Sequence, residues 1–106
     1  MLKKKRVPKS SLESMQAHAC EASLLLKAMG NEQRLLILCL LVGSELSVGD
    51  LQTQIKLSQS ALSQHLAVLR EAELVSTRRE AQTVFYSLPN GPVKKVMQTL
   101  HKIYCE

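Results

Sequence analysis

The sequence predicts a single, mostly helical α+β domain with a small β-hairpin, and three observations support this fold class. Apolar residues recur every three or four positions over most of the chain, as on the buried face of a helix. One stretch, LVSTRREAQTVFYSL, is instead rich in the β-branched and aromatic residues that favour strands. A chain of 106 residues is long enough for one hydrophobic core and too short for two. We therefore expect five helices and two strands in one domain.

The first helix is predicted over residues 12–29, where the apolar residues form one stripe. The members of this stripe are Leu12, Met15, Ala19, Ala22, Leu26 and Met29. Residues 1–10 contain the basic run KKKR and are expected to form a flexible N-terminal tail, with a phosphate-binding arm as the alternative. Residues 11–106 then form the folded domain.

The second and third helices are short and have clear boundaries. The second, over residues 32–42, is apolar on all sides, as expected for a helix at the centre of a small domain, and Gly43 ends it. Ser47 and Asp50 have the spacing of a capping box. A third helix is therefore predicted over residues 48–55.

The fourth helix, over residues 59–72, is predicted to begin at the cap residue Ser58. Its inward face is formed by Leu62, Leu66 and Leu69. Its outer face consists of short or amide-bearing residues: Gln59, Ser60, Ser63, Gln64 and Ala67. In a DNA major groove, Gln can form two hydrogen bonds with adenine, Ser can form hydrogen bonds with several bases, and Ala permits contact with a thymine methyl group. A neutral solvated helix is the alternative, but the preceding helix and tight turn favour a helix-turn-helix.

The hairpin follows the fourth helix and completes a winged helix-turn-helix. Its polar centre, RREAQ, is expected to form the tip of the wing, which places Arg78 and Arg79 at that tip. There they can meet DNA phosphates or enter the minor groove, or they can remain solvated turn charges. The hairpin has no Asn-Gly or Asp-Gly pair, so the type of turn is not specified.

The last helix, over residues 91–104, has an apolar side that one short chain cannot cover. Its apolar residues are Val93, Val96, Met97, Leu100, Ile103 and Tyr104. The easiest cover for this side and for the stripe of the first helix is the same pair of helices from a second copy. We therefore expect a two-fold homodimer through the first and last helices. Its recognition helices would lie about 34 Å apart on an inverted-repeat operator in double-stranded DNA.

Charge and cysteine content limit the class of protein. The formal net charge of +5 favours a polyanionic partner but does not identify one. No stretch has the length of a signal peptide core or of a membrane span, which predicts a soluble cytoplasmic protein without a membrane partner. The three cysteines, Cys20, Cys39 and Cys105, are an odd number without CxxC spacing, so they are expected to be thiols rather than disulfides or zinc ligands.

The order of elements and four stretches of sequence resemble the ArsR/SmtB family of small dimeric winged-helix transcriptional regulators. The stretches are LLKAMGNEQRLLILCLL, ELSVGDL, LSQSALSQHLAVLREAELV and TRREAQTVFYSL. The resemblance is closest to the branch typified by the HlyU, BigR and SqrR regulators. In that branch, one cysteine in the second helix and one near the end of the last helix form a thiol pair that senses reactive sulfur species or oxidants. Cys39 and Cys105 stand at those two positions.

The resemblance implies a non-enzymatic regulator without a cofactor, induced by inorganic polysulfide or a persulfide. We expect Cys105 to be the more exposed thiol and the one that attacks, with Cys39 as the resolving partner. Oxidation is expected to lower operator affinity and release repression, although displacement of a silencer from a promoter is an alternative readout. The resemblance also implies that His65 makes a DNA contact, whereas a partly buried structural histidine is the plainer interpretation. Cys20 matches no sensing position and is expected to be a small core or interface residue.

Three other functions are weighed against this one. A metal-responsive repressor is disfavoured, because Ser47, Gly49 and Gln52 replace the cysteines of the family's metal motif, and His101 and Cys105 offer only two ligands of a closed site. A thiol enzyme would need an acid–base constellation around a cysteine, which the sequence lacks. A winged-helix interaction module without a DNA role would bind duplexes without sequence preference.

Overall fold

The computed structural model describes residues 9–105 and contains five helices and a three-stranded antiparallel sheet. The elements are α1 (Lys9–Met29), α2 (Glu32–Leu40), β1 (Leu46–Ser47), α3 (Val48–Gln54), α4 (Gln59–Glu71), β2 (Ser76–Glu80), β3 (Thr83–Ser87) and α5 (Pro92–Cys105). The mostly helical α+β fold with a hairpin wing is thereby confirmed. Most of the predicted tail, residues 1–8, lies outside the described residues, and α1 begins at Lys9, within the range assigned to that tail.

Short side chains cap three of the helices. The side-chain oxygen of Asn31 accepts hydrogen bonds from the first free N–H groups of α2. At α3, Asp50 N–H donates to Ser47 Oγ at 3.1 Å, and Ser47 N–H donates to the Asp50 carboxylate at 3.0 Å. These bonds also lower the pKa of Asp50. Ser58 Oγ accepts from the N–H of Ala61 at the start of α4. The predicted capping box and the predicted cap of the recognition helix are both confirmed.

The helix α2 is not buried on all sides, contrary to the prediction. Ile37 and Leu38 are fully buried, whereas Leu36 is 47% exposed and Cys39 is exposed. The helix packs against α1, α4 and α5, and these contacts bury only the side that faces the core. The opposite side of an all-apolar helix is therefore left open.

The core is built mainly from leucines of the central helices. Its fully buried side chains are Ile37, Leu38, Leu41, Leu51, Leu62, Leu66 and Leu69. The three leucines of α4 thus face inward as predicted. Burial of these side chains fixes the rotation of α4 about its axis and turns its polar face outward.

The sheet has one strand more than predicted. Strand β1 pairs with β3 through Leu46 opposite Tyr86 and Ser47 opposite Phe85, in the order β1-β3-β2. The prediction of two strands is wrong in this respect, because a two-residue strand shows no periodicity and forms only where β3 offers a free edge. The hairpin turn consists of Ala81 and Gln82, between the paired residues Glu80 and Thr83.

Two helices carry apolar side chains that the rest of the described chain does not cover. On α1, the exposed fractions of Leu12, Met15 and Leu26 are 52%, 59% and 59%. At the end of α5, Ile103 and Tyr104 are 61% and 80% exposed. The described residues span 61 × 30 × 22 Å, which is elongated for a chain of this size.

Candidate nucleic-acid interface and thiol sites

The outer face of α4 is an exposed polar surface on a rigid support. Gln59, Ser60, Ser63 and Gln64 are all exposed, while Ala67 on the same face is half-buried. The buried leucines on the opposite side hold the helix in place. The face contains only amide, hydroxyl and methyl groups, which can approach base edges closely. The structure therefore brings together four of the predicted DNA-binding residues.

The turn before α4 completes a helix-turn-helix. Helix α3 packs against β1 and β3, and Ile55 at its end is buried. Ser58 begins α4, and its hydroxyl lies 3.3 Å from the hydroxyl of Ser60. The cap and the first turn of the recognition helix are thus linked by hydroxyl groups at its N-terminal end, where free backbone N–H groups also attract anions.

His65 is half-buried at the edge of α4, between the core and the polar face. Its Nδ1 lies 3.4 Å from Nη1 of Arg34, a residue of α2. The Nε atom of the same guanidinium donates to the backbone carbonyl of Ala28 at 2.6 Å. His65 is therefore connected through Arg34 to the end of α1 and the start of α2.

Arg78 is not at the tip of the wing, contrary to the prediction. It lies within β2, opposite Phe85, and the turn begins three residues later. Its guanidinium forms ion pairs of 2.7 Å with both Glu45 and Glu80, and its carbon Cζ lies 4.7 Å from the centroid of the Phe85 ring. The hydrogen bonds to Glu45 and Glu80 raise the pKa of Arg78, and the bond from Arg78 lowers the pKa of Glu45.

Arg79 is also outside the turn but is arranged differently. It pairs with Val84 in the hairpin, and its side chain projects to the sheet face opposite that of Arg78, since strand residues alternate. Within the part of the chain that the structure describes, Arg79 forms no ion pair with a carboxylate. Of the two arginines, Arg79 is the one whose charge is left for an external partner.

Cys39 lies on the open side of α2. Its thiol is exposed and borders an open hollow of about 270 Å³ that α2 shares with the end of α3. Leu36 and Ile55 supply apolar wall, and Lys56 supplies a positive charge. The expectation that Cys39 is the less accessible thiol is not supported in the single chain, because reagents in solution can reach it directly.

Cys105 is the last residue of α5 and is exposed, as predicted. Cys20 is exposed on α1, so it is not a core residue within one chain. Helix α5 packs against α2, so the helices that carry Cys39 and Cys105 are neighbours. The two candidate sensing thiols thus lie on adjacent helices, and Cys20 lies on α1, which also packs against α2.

Metal-binding clusters and membrane-spanning helices are both absent from the described residues. Between residues 9 and 105, no group of three or more His, Cys, Asp or Glu side chains is placed to hold a metal ion. No helix in the same range is long and apolar enough to cross a membrane.

Two residues of this surface were missed at the sequence level. Glu45 and Arg34 lie 33 and 31 positions from the partners they contact, Arg78 and His65. For Glu45 the sequence carries no signal. Arg34 is a single cation beside the apolar run of α2, a pattern that suggests a specific partner without identifying it.

Comparison with known proteins gives consistent matches over most of the chain. Residues 31–77 match the family described as bacterial regulatory protein, arsR family. The transcriptional activator HlyU of Vibrio cholerae is 55% identical over 96 residues, which span 91% of this chain and 89% of that protein. The biofilm growth-associated repressor of Agrobacterium fabrum is 40% identical over 94 residues, covering 89% of this chain and 80% of that protein.

Solved structures agree with the sequence matches. The structure of reduced HlyU from Vibrio cholerae superimposes with a TM-score of 0.83 at 55% identity, covering 89% of this chain and 99% of that one. At such identity over nearly the whole domain, both fold and family are shared.

Proposed function

The chain belongs to the arsR family of bacterial regulatory proteins and is a DNA-binding transcriptional regulator. From this premise we propose that it is a dimer whose operator affinity falls when reactive sulfur species or oxidants link Cys39 to Cys105. The observation that carries the proposal is the exposure of both thiols on two helices that pack against each other. The choice of Cys105 over Cys20, whose helix α1 also packs against α2, rests on the sensing positions of the regulators that the sequence resembles. A relative with 55% identity has been solved in a form named as reduced, which supports redox chemistry in this group.

DNA recognition is assigned to the polar face of α4 and to the wing. In the major groove, the amides of Gln59 and Gln64 and the hydroxyls of Ser60 and Ser63 read base edges. Arg79 contacts a phosphate, because no carboxylate among the described residues neutralises it. A two-fold dimer through α1 and α5 presents two such surfaces to an inverted repeat.

The sensing reaction proceeds by two thiolate attacks, for which polysulfide is the oxidant. The first thiolate attacks a sulfur atom of inorganic polysulfide, a sulfur–sulfur bond of the reagent breaks, and the shortened polysulfide leaves with the electron pair. The cysteine now carries a persulfide. The second thiolate attacks the Sγ atom of the first cysteine, the bond from Sγ to the outer sulfur breaks, and hydrosulfide leaves with the electron pair, which produces a disulfide. Attack on a sulfur farther along a longer attached chain leaves a bridge of more than two sulfurs.

The hollow beside Cys39 favours this thiol as the first point of attack. Polysulfide is an anion, and Lys56 at the border of the hollow attracts it. Cys105 then resolves the intermediate, which reverses the order expected from the sequence.

The bridge acts on DNA binding through α2. This helix packs against α4 as well as α5, so a covalent link between α2 and α5 changes the support of the recognition helix. Coupling free energies between sites are typically about 1–3 kcal/mol, which corresponds to a roughly 5–150-fold change in affinity. The relatives named above include an activator and a repressor, so loss of operator binding can either increase or decrease transcription.

The test treats the reduced protein, without oxygen, with inorganic polysulfide and separately with a disulfide-forming oxidant. Peptide mass spectrometry then maps the products. The affinity of each form is measured for a duplex selected from a random pool by the reduced protein. We expect a Cys39–Cys105 link within one chain and an affinity at least about fivefold lower.

Matched variants identify the responsible thiols. Cys39→Ser and Cys105→Ser should each abolish the affinity change, whereas Cys20→Ser, which also removes an exposed thiol, should retain it. The proposed dithiol switch is contradicted if Cys39 stays unmodified in both treatments, or if the linked protein binds the duplex as tightly as the reduced protein.

A further inference from the structure

The contact between Arg34 and His65 restricts where the hydrogen of the imidazole is located. An arginine side chain has five N–H donors and no acceptor. The 3.4 Å contact between Arg34 Nη1 and His65 Nδ1 is therefore a hydrogen bond only if Nδ1 offers its lone pair. The neutral ring then carries its hydrogen on Nε2, because the two ring nitrogens have opposite roles in neutral imidazole.

The position of Arg34 is itself fixed by a second, shorter bond. Its Nε donates to the carbonyl of Ala28 at 2.6 Å, near the end of α1. The residue is half-buried, and among residues 9–105 no carboxylate forms an ion pair with it. The guanidinium is thus anchored on one side by a backbone carbonyl and directs a remaining N–H towards the recognition helix.

His65 occupies the edge of the surface that faces DNA. It follows Gln64 on α4 and is half-buried, whereas Gln64 is exposed. Contacts at the edge of a recognition helix are typically made with the DNA backbone, which sets the register of the helix in the groove. The Nε2–H group, on the side of the ring away from Nδ1, is the donor that the imidazole keeps for such a contact.

We propose that Arg34 is a positioning residue for operator binding, which holds His65 as the Nε2–H tautomer so that this N–H donates to a phosphate oxygen. The inference rests on the DNA-binding part of the proposed function and is independent of the thiol switch. Arg34 does not touch DNA; it acts by fixing the orientation and the hydrogen position of the side chain that does.

Two substitutions of His65 separate the roles of its nitrogens. Gln places an N–H donor near the position of Nε2, whereas Asn places its polar group near Nδ1 and cannot reach as far. With the duplex selected from a random pool by reduced wild-type protein, His65→Gln should bind within about threefold of wild type. His65→Asn and His65→Ala should bind roughly tenfold more weakly, as expected for loss of a hydrogen bond to a charged group. Equal losses in all three variants would overturn the proposal.

A double-mutant cycle tests whether Arg34 acts through His65. Arg34→Met should weaken binding by about threefold to tenfold in the wild-type background and should have no further effect in His65→Ala. Equal losses in both backgrounds would show that Arg34 acts independently of His65, and the proposal would fail. Thermal unfolding of each variant identifies losses that come from an unfolded domain.

The tautomer can be measured on the unmodified protein, so the test does not depend on a variant that folds. Two-bond ¹H–¹⁵N correlation spectra distinguish protonated from unprotonated ring nitrogens. We expect hydrogen on Nε2 of His65 alone in wild type and a mixture of tautomers in Arg34→Met. Hydrogen on Nδ1 in the wild-type protein would exclude the bond from Arg34 and the proposal with it.

A base scan of the selected duplex distinguishes a phosphate contact from a base contact. Loss of a phosphate contact in His65→Ala should weaken all duplexes to a similar extent. A preference relaxed at one base pair would instead overturn the phosphate assignment. If reduced wild-type protein prefers no duplex over unrelated DNA, the proposed function fails; if it has such a preference but His65→Gln is as weak as His65→Ala, only the present inference fails.

Discussion

The side chains of Ser60 and Gln64 are exposed on α4, where no other element of the described residues covers them. Both are short enough to bring the helix close to base edges, and neither is bonded to the core. Among the described residues, the side-chain hydroxyl of Ser60 has one side-chain hydrogen-bond partner, the hydroxyl of Ser58. A role in recognition can therefore be removed at these positions without removing a contact with the core.

We expect Ser60→Ala and Gln64→Ala to weaken binding to the selected duplex by about 1–3 kcal/mol each, because each loses a base contact. Affinity for unrelated DNA should change little, and thermal stability should stay within about 0.5 kcal/mol of wild type. Quantitative binding assays with both duplexes measure this difference.

Gln98→Ala provides the matched control, since Gln98 is exposed on α5 and lies outside the recognition surface. It should bind like wild type. A winged-helix interaction module without a DNA role would be indicated if the two α4 variants and this control all bound alike.

At the scale of elements, the hairpin of β2 and β3 presents two adjacent arginines in different electrostatic states. Arg78 is paired with Glu45 and Glu80 and stacks on Phe85, so its charge is largely neutralised within the wing. Arg79 projects to the other face and has no such partners among the described residues. Strand alternation thus directs Arg78 towards Glu45 and leaves the charge of Arg79 available for the proposed phosphate contact.

Arg79→Ala should weaken DNA binding and reduce the slope of log affinity against log salt by about one unit, because one phosphate contact no longer releases a counterion. Arg78→Ala removes the same formal charge and should leave the salt slope close to that of wild type. Titrations of one duplex at several salt concentrations give both slopes. Equal decreases in slope for the two variants would contradict the assignment.

At the scale of the whole molecule, α1 extends from the body with most of its apolar stripe uncovered. Of this stripe only Met29 is buried, and Leu12, Met15 and Leu26 are each more than half exposed. The end of α5 is also exposed through Ile103 and Tyr104. An uncovered apolar surface on two long helices is typical of a face that a second copy covers.

We expect the combined change Leu12→Glu and Met15→Glu to convert the proposed dimer to a monomer, because it places two charges on this apolar face. Sedimentation equilibrium should give twice the mass of one chain for wild type and the mass of one chain for the variant. The variant should also bind a duplex with two half-sites more weakly than wild type. Its circular dichroism spectrum should still be that of a folded, helical protein.

Leu36→Glu is the corresponding control, because Leu36 is 47% exposed but lies on the open side of α2. It should leave the mass unchanged. Dimerisation through α1 and α5 is contradicted if wild type sediments as a monomer, or if the α1 variant remains a dimer.

The sequence by itself determined the features that depend on neighbouring residues. The caps at Ser47 and Ser58 were predictable because donor and acceptor are three positions apart. The inward leucines and the polar face of α4 followed from helical periodicity, which a short window of sequence contains. The candidate DNA-binding residues on this face were therefore all found without a structure.

Only the tertiary structure decided the contacts between residues that are distant in the chain. The pairing of Arg78 with Glu45, the bond from Arg34 to His65 and the added strand β1 each join segments about 30 or more positions apart. The exposure of Cys39 depends on which sides of α2 the other helices cover, and an all-apolar helix contains no signal for this. Helix caps and apolar periodicity depend on residues that are close in the sequence. Contacts between distant residues form only when core packing positions whole elements against one another.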